Sequence, residues 1–278
     1  MAEPDPSADL MKISVVTVCF NSEATIAYTI RSFLSQTYPH KEMLIIDGGS
    51  SDRTLEIVNG FADSAIRVAS EKDNGIYDAM NKGLQLYTGD AVGFLNSDDT
   101  FHDVNALTRI ADGLKYADAV HSGVIVVKSH ETKQIARTWR GEPFKRGQFR
   151  SGWMPPHPTF YIRRSLAEKV GEFDLSYSIA ADYDYMLRAL ELHAQSTAYV
   201  QGPLIDFLVG GSGSGFGPVL GANLACLRSR RKHLGAPLLD LAFFLKPSFK
   251  MLTQNPAWER ARHLFSRKKP SSSAGFML

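Results

Sequence analysis

The chain has 278 residues, 44% of them hydrophobic, and a formal net charge of +2; that suits one large globular domain, or a domain with a substantial tail. Its two cysteines, Cys19 and Cys226, exclude a disulfide framework and a zinc spacing, so a reducing, cytoplasmic setting is expected. Residues 228–269 hold eleven Lys/Arg against two Asp/Glu, a local +9 that leaves −7 on the rest; nucleic acid is a poor partner for that acidic body, and an anionic membrane surface suits the tail.

Residues 1–11 are polar and Pro-containing, without an apolar signal core, and predict a disordered N-terminus. Residues 13–18 (ISVVTV) form a β-branched apolar run, as expected of a strand buried on both faces. After the turn Asn21-Ser22-Glu23, a helix is predicted to about Gln36, with Ile26, Ile30, Phe33 and Leu34 at helical spacing. Residues 43–46 (MLII) read as a second buried strand, the turn 47–52 (DGGSSD) follows, and a helix runs on to about Phe61. Residues 66–69 predict a third strand, 75–86 a helix and 91–95 a fourth strand that ends on Asn96-Ser97-Asp98-Asp99. This alternation predicts an α/β fold with a mostly parallel central sheet and helices on both faces.

Further on, 119–128 (AVHSGVIVVK) predicts another strand and 134–139 a partner for it. Residues 143–158, rich in Gly, Pro and aromatics, read as a loop that orders around something. Helices are expected over 166–170 and 183–193, and an extended segment over 199–208. The glycine-rich stretch 210–217 (GGSGSGFG) lacks the GxGxxG order of a dinucleotide loop. The expected domain therefore spans 12–217, followed by a basic helical C-terminal region over 218–270 and a loose tail over 271–278. No apolar run approaches the ~20 residues that span a bilayer. The nearest, 238–245, is short and contains Asp240, so any membrane contact is expected to be peripheral. A helical subdomain covering the sheet is the equal alternative for this region.

Open parallel sheets bind ligands at the carboxyl ends of their strands. Asn21, Asp47 and residues 96–99 all fall there. Two adjacent carboxylates, Asp98 and Asp99, repel unless a cation or hydrogen-bond donors offset them. A hard divalent ion, Mn²⁺ or Mg²⁺, would do so while bridging phosphate oxygens, and a solvated helix-capping turn is the bland alternative. Asp47 is suited to a base or ribose, or to organising the turn before Gly48-Gly49. Asp52 reads as a helix N-cap, with Ser51 as its rival. Asp73 lies in a polar turn before a helix, where it faces a nucleotide or caps. Lys82 reaches a phosphate or is simply solvated. Asp182 is placed to deprotonate an acceptor hydroxyl, or to cap its helix. Asp184 is its rival and has Arg188 at i, i+4. His157, set between prolines, lines an acceptor site, contacts donor phosphates, or is incidental.

Taken together these pieces resemble the family 2 inverting glycosyltransferases, which have a GT-A fold. The matching segments are 14–18 with Asn21-Ser22, 44–52 (LIIDGGSSD), 75–83 (GIYDAMNKG), 94–99 (FLNSDD) and 181–184 (ADYD), in order across about 12–210. The 75–83 segment is similar to a subgroup that builds bacterial exopolysaccharide, capsule or glycolipid sugars. The resemblance implies that Thr17 lines a base pocket, that Asp47 binds the base, commonly uracil, and that Asp73 lies beside the nucleoside. It further implies that Asp98, matching the last carboxylate of the family's Asp-x-Asp, holds a metal on the donor diphosphate. Asp182 would be the catalytic base. Two positions depart from the pattern. Asn96 replaces the first Asp, which keeps a ribose contact but gives Asp99 more weight in metal binding, and Ala181 replaces the Glu before the base. The Gln-x-x-Arg-Trp motif of processive polymerases is not seen after residue 200, which favours single-sugar transfer to a glycan or lipid-linked acceptor. The rivals are a sugar-nucleotidyltransferase, which would carry a Gly-rich basic loop where 19–23 reads CFNSE, and a non-catalytic sugar-nucleotide binder.

Overall fold

A computed structural model describes residues 10–208 and 216–235 of the protein. β1 (Ile13–Cys19) is buried along its whole length because β2 (Lys41–Asp47) and β4 (Ala91–Phe94) flank it, both parallel to it. β3 (Ile66–Ser70) extends the sheet beyond β2. The crossovers are α1 (Ile26–Leu34), α2 (Thr54–Asn59) and α3 (Ile76–Leu86). Side chains alternate across each strand. Val16, Val18, Leu44 and Ile46 enter one core with Ala79 and Met80 of α3. Val15, Cys19, Met43 and Ile45 enter another with Ile26, Ile30 and Phe33 of α1 and Val58 of α2. Helices therefore cover both faces, as the strand–helix alternation predicts.

The second half of the chain adds β5 (Thr100–Phe101), α4 (Ala106–Leu114), β6 (Ala119–Val127), β7 (Ile135–Trp139), β8 (Tyr161–Arg163), α5 (Arg164–Val170), α6 (Ala181–Leu187), β9 (Thr197–Leu208) and α7 (Phe216–Leu234). The sheet order is β3-β2-β1-β4-β8-β6-β9-β5, with β7 beside β6. β1 to β4, β6 and β9 share one direction, while β8, β5 and β7 oppose their partners. The sheet is mostly parallel, with the antiparallel β8 inserted at its centre.

Three elements, β5, α4 and β8, lie where no element is predicted. The loop expected over 143–158 contains a tight turn of helix at Gln148–Ser151 and runs into another at His157–Thr159. The helix expected over 183–193 is α6 followed by a wider segment, Arg188–His193, closed where the Ala194 N–H reaches the Ala189 carbonyl. The boundary expected between 217 and 218 falls inside α7, which packs on α6. Within α7, Arg228 lies over the Tyr177 ring at 4.7 Å and Lys232 pairs with Asp174 at 2.9 Å, so these two basic residues face the domain itself. The apolar residues Leu238, Leu241, Phe243, Phe244, Leu245 and Phe249, expected to contact a membrane, lie outside the described residues, as does most of the 210–217 loop. Among the described residues no helix is long and apolar enough to cross a membrane.

Candidate active site

The strand order reverses around β1, with β2 on one side and β4 on the other. Ligands of open α/β sheets sit outside the carboxyl ends at such a point. Here the loops after β1 and β2 are knitted together. The Ser51 N–H donates to Asn21 Oδ1 at 2.9 Å and the Ser22 N–H to Thr54 Oγ1 at 2.7 Å. The loops after β1 and β4 also meet, where Ser22 Oγ lies 2.9 Å from Ser97 Oγ.

Asp47 is fully buried and organises the turn that follows it. Its carboxylate accepts from the Gly49 and Ser50 N–H groups, from Ser50 Oγ at 2.5 Å, and from Ser70 Oγ at 2.7 Å, which its register with Ser70 brings alongside. Burial alone would raise this carboxyl, but the bonds from Ser50, Ser70 and Gly49 outweigh it and hold it below the ordinary carboxylate range. Asp73 joins the same turn. It packs so closely on Gly48 that a Cβ there would overlap its carboxylate, and Gly49 takes a positive φ of 85°. Asp52, expected as the N-cap, lies one residue ahead of the N-cap position, which is Arg53, and accepts from the Thr54 N–H at 2.9 Å. Burial and the nearby Asp47, Asp52 and Asp73 push the Cys19 thiol up to about 12, so it is inert as a nucleophile.

The Asp98-Asp99 pair is unequal. Asp99 is fully buried, with Oδ2 accepting from Asn96 Nδ2 at 2.9 Å and Oδ1 from the Leu208 N–H at 3.2 Å. Asp98 is half-buried, and its carbonyl accepts from His130 Nε2 at 2.7 Å. Burial pushes both carboxyls up, and the Asp98 charge pushes Asp99 further. An uncompensated acidic pair behaves this way. Among the described residues no three His, Cys, Asp or Glu side chains gather into a metal cage. One accessible carboxylate, Asp98, fits Mn²⁺ or Mg²⁺ held mainly by substrate phosphates, the usual manner for Mg²⁺.

Asp182 enters from the other half of the chain. It lines a cavity of about 260 Å³ together with Asn96, His157, Tyr77, Met80 and Trp139. Tyr77 Oη donates to Asp182 Oδ1 at 3.2 Å, so the carboxylate is bound from α3 and makes no cap bond within its own helix. Ala180, just before α6, sits at φ 61°, a left-handed conformation that a Cβ disfavours. His157 stacks on Phe94 with ring centroids 5.3 Å apart, and its Nε2 is buried without a partner. Burial lowers its pKa against the opposing pull of Asp182, which keeps the ring neutral at pH 7.

Asp184, the rival of Asp182, is fully engaged. It is completely buried, pairs with Arg188 at 2.8 Å as the i, i+4 spacing predicts, and accepts from Ser229 Oγ at 2.8 Å. His233 Nε2 lies 3.0 Å from the same carboxylate. Of the predicted residues, Asn96, His157 and Asp182 line the cavity, whereas Thr17, Asp47, Asp73, Lys82, Asp98 and Asp99 do not. Thr17 is fully buried within β1, its Oγ1 without a partner. Lys82 pairs with Glu71 at 2.9 Å and donates to the Lys72 carbonyl, bracing the turn that carries Asp73. Tyr77, His130, Arg137 and Trp139 are absent from the predicted set although they border the site. The one signal for the last two is the strand 134–139, where Arg137 and Trp139 share a face with Ile135 in a strand exposed along most of its length.

The sequence pattern of "Glycosyl transferase family 2" matches residues 14–178. A Mycobacterium tuberculosis protein named "PGL/p-HBAD biosynthesis glycosyltransferase" is 30% identical over 193 residues, 67% of this chain and 73% of that one. The Staphylococcus aureus TarS fragment 1-349 in complex with UDP-GlcNAc superposes with a TM-score of 0.62 at 19% identity, over 84% of this chain and 69% of the fragment. The mannosyltransferase PcManGT of Pyrobaculum calidifontis, in complex with GDP-Man and Mn²⁺, gives a TM-score of 0.55 at 17% identity, over 93% of this chain and 84% of that one. These two structures match the fold, and the sequence pattern covers the loops after β1 and β2 together with residues 96–99. The chain belongs to the family 2 glycosyltransferases and has their GT-A fold.

Proposed function

We propose that the protein transfers a single sugar from a nucleotide-sugar donor, UDP-linked, to a hydroxyl of a glycan or lipid-linked acceptor. The transfer inverts the anomeric centre and serves the making of a cell-surface polysaccharide or glycolipid. The observation that carries the reading is the cavity where Asp182, free of capping duty, faces the same space as Asn96 and the unpartnered His157 Nε2. The relatives named for PGL/p-HBAD biosynthesis favour a glycan-assembling role, and the complexes with UDP-GlcNAc and GDP-Man favour a nucleotide-sugar donor.

The donor lies across the β1/β4 crevice. Asp47 and Asp73 shape the pocket for base and nucleoside, with Thr17 in the strand beneath, and Asn96 takes a ribose hydroxyl. Asp98 is the protein ligand for Mn²⁺ or Mg²⁺, which when bound neutralises charge on the departing diphosphate. Asp99 supports that turn from inside rather than sharing the ion, because both its oxygens already have donors. Asp182 takes the proton of the acceptor hydroxyl as that oxygen bonds to the anomeric carbon. The bond from that carbon to the diphosphate oxygen breaks on the opposite face, and the nucleoside diphosphate leaves with the electron pair. His157, neutral and buried, offers Nε2 to the acceptor or to the sugar. Lys82 acts through the Asp73 turn rather than on phosphate directly. The setting is the cytoplasm, with peripheral contact at the inner membrane face through the basic residues beyond α7.

A panel of UDP-, GDP- and dTDP-sugars, with and without Mn²⁺ or Mg²⁺, read as nucleoside diphosphate release, tests this. Metal-dependent turnover of one donor class, lost in Asp98→Ala, is the expected result. Binding without turnover, whatever the acceptor supplied, would instead mark a sugar-nucleotide binder.

A further inference from the structure

Beside the reaction cavity lies a second one of about 340 Å³, lined by His121, Trp139, Arg140, Glu142, Trp153 and Met154. Trp139, Met154 and Pro156 line both cavities, so the second opens next to the space that Asp182 faces. The wall is built by close backbone approach. The chain leaving β7 presses on β6 so tightly that a Cβ on Gly123 would lie 2.6 Å from the Trp139 carbonyl oxygen and 2.9 Å from the Gly141 nitrogen. That contact sets Trp139, Arg140 and Glu142 at the rim.

At the base is His121, fully buried in β6, with both ring nitrogens lacking any hydrogen-bond partner. Its ring centroid is 5.6 Å from those of Trp153 and Tyr199. Burial depresses its pKa to about 4, so the neutral ring presents one donor and one acceptor. Leaving both unmet in the interior costs free energy that a polar ligand would recover. The rim provides the complementary parts. Trp139 is 40% exposed, and Arg140 and Glu142 are exposed. Indole faces receive the C–H face of a pyranose, while a guanidinium, a carboxylate and a neutral imidazole together bind hydroxyls as donors and acceptors.

We propose that this second cavity is the acceptor subsite, and that it holds a sugar ring whose reacting hydroxyl, or that of the next residue, reaches Asp182. The acceptor is then already glycosylated: a saccharide, free or on a lipid, rather than a bare lipid or phenol. The inference rests on the proposed transferase reading, but its test separates the two. Saturation-transfer NMR on the full chain, with methyl gluco-, galacto- and mannopyranosides at millimolar concentration and UDP with diamagnetic Mg²⁺ as a second probe, reports each site independently. At least one glycoside should receive saturation from the protein. Its signal should fall about tenfold in Trp153→Ala and in Arg140→Ala/Glu142→Gln, the loss of one stacked ring or of its polar neighbours, with the UDP signal retained. Arg140 and Glu142 are exposed, so that double variant spares the core should Trp153→Ala fail to fold. No glycoside signal, or one that neither variant weakens, would overturn the proposal. A glycoside signal that the variants abolish in a protein that binds no nucleotide would keep the saccharide site and remove the transferase reading instead.

Discussion

The two sides of the site differ in how far their polar groups are satisfied within the protein. In the turn after β2 every oxygen of Asp47 has an internal donor, Asp52 is bonded to α2, and Asp73 is wedged against Gly48. Around the cavities Asp182 has one bond from Tyr77, His157 keeps a buried Nε2 without a partner, and His121 has two such nitrogens. A buried polar atom without a partner raises the energy of the free protein, and a ligand that supplies the partner recovers it. The turn after β2 is therefore satisfied within the protein, whereas the cavity keeps polar atoms that a ligand can satisfy.

The sharpest way to break that contrast is Asp182→Asn. An acid–base group contributes about 10²–10⁴-fold to a rate, so kcat should fall by that order while donor affinity and thermal stability stay close to wild type. Full activity in this variant would remove Asp182 as the base, and loss of donor binding would move it to the donor side. In the turn after β2 the expected damage is reversed in kind. Asp47→Ala strands the Ser50, Ser70 and Gly49 donors together, which should destabilise the fold by about 3 kcal/mol and weaken nucleotide binding in parallel. Urea unfolding and nucleotide titration measure the two. An Asp47→Ala protein of wild-type stability would mean that the turn does not depend on this carboxylate.

Much of the turn after β2 is legible in the sequence and much of the cavity is not, for a physical reason. ISVVTV and MLII are continuous apolar runs, and only a strand covered on both faces uses such a run. Asp52 bonds the Thr54 N–H two residues on, a local contact that can be read locally. α4 carries a helical stripe, Ala106, Leu107, Ile110, Ala111 and Leu114, so its signal was present although it is absent from the predicted elements. β8 has no such signal. Three residues become a strand only because β4 and β6 flank them and Tyr161 packs over Gly93. The choice between Asp182 and Asp184 is likewise tertiary. Ser229 and His233, more than forty residues on, claim Asp184 and leave Asp182 to the cavity. His121 sits inside AVHSGVIVV, where period alone cannot distinguish a ligand-seeking histidine from a core one.

The two sides should also respond differently to acid. Asp47 is depressed, so its contribution to stability is present above the ordinary unfolded value of about 4 and is lost only as pH falls below it. His121 titrates near 4 in the fold and near 6.5 when unfolded, so protons favour the unfolded chain as soon as pH drops below 6.5. That one group should cost about 2 kcal/mol by pH 5, and His157, also depressed by burial, adds in the same direction. Urea midpoints measured from pH 7.5 to 5 should decline, and His121→Leu should flatten part of the slope. An unchanged slope would mean that the native His121 ring takes up protons as readily as the unfolded chain does.

The smallest expected effect tests how Asp182 is held. Tyr77 lies on α3, the helix that follows the Asp73 turn, and its hydroxyl donates across to Asp182. Burial, and then the neighbouring Asp182 charge, raise the phenol far above its ordinary value, so at working pH it remains a donor and does not compete as a base. Its bond holds the carboxylate through one oxygen, Oδ1. It also ties α3 to α6, in addition to the bonds that Asn81 of α3 exchanges with the Phe173 backbone. Tyr77→Phe removes that link and little else, since the ring keeps its stacking on Phe173 at 5.8 Å. The cost should be about 1 kcal/mol, a roughly fivefold fall in kcat at unchanged donor KM. An unchanged kcat would show that α6 alone positions Asp182, whereas a loss as large as that of Asp182→Asn would give the phenol a part in the chemistry itself.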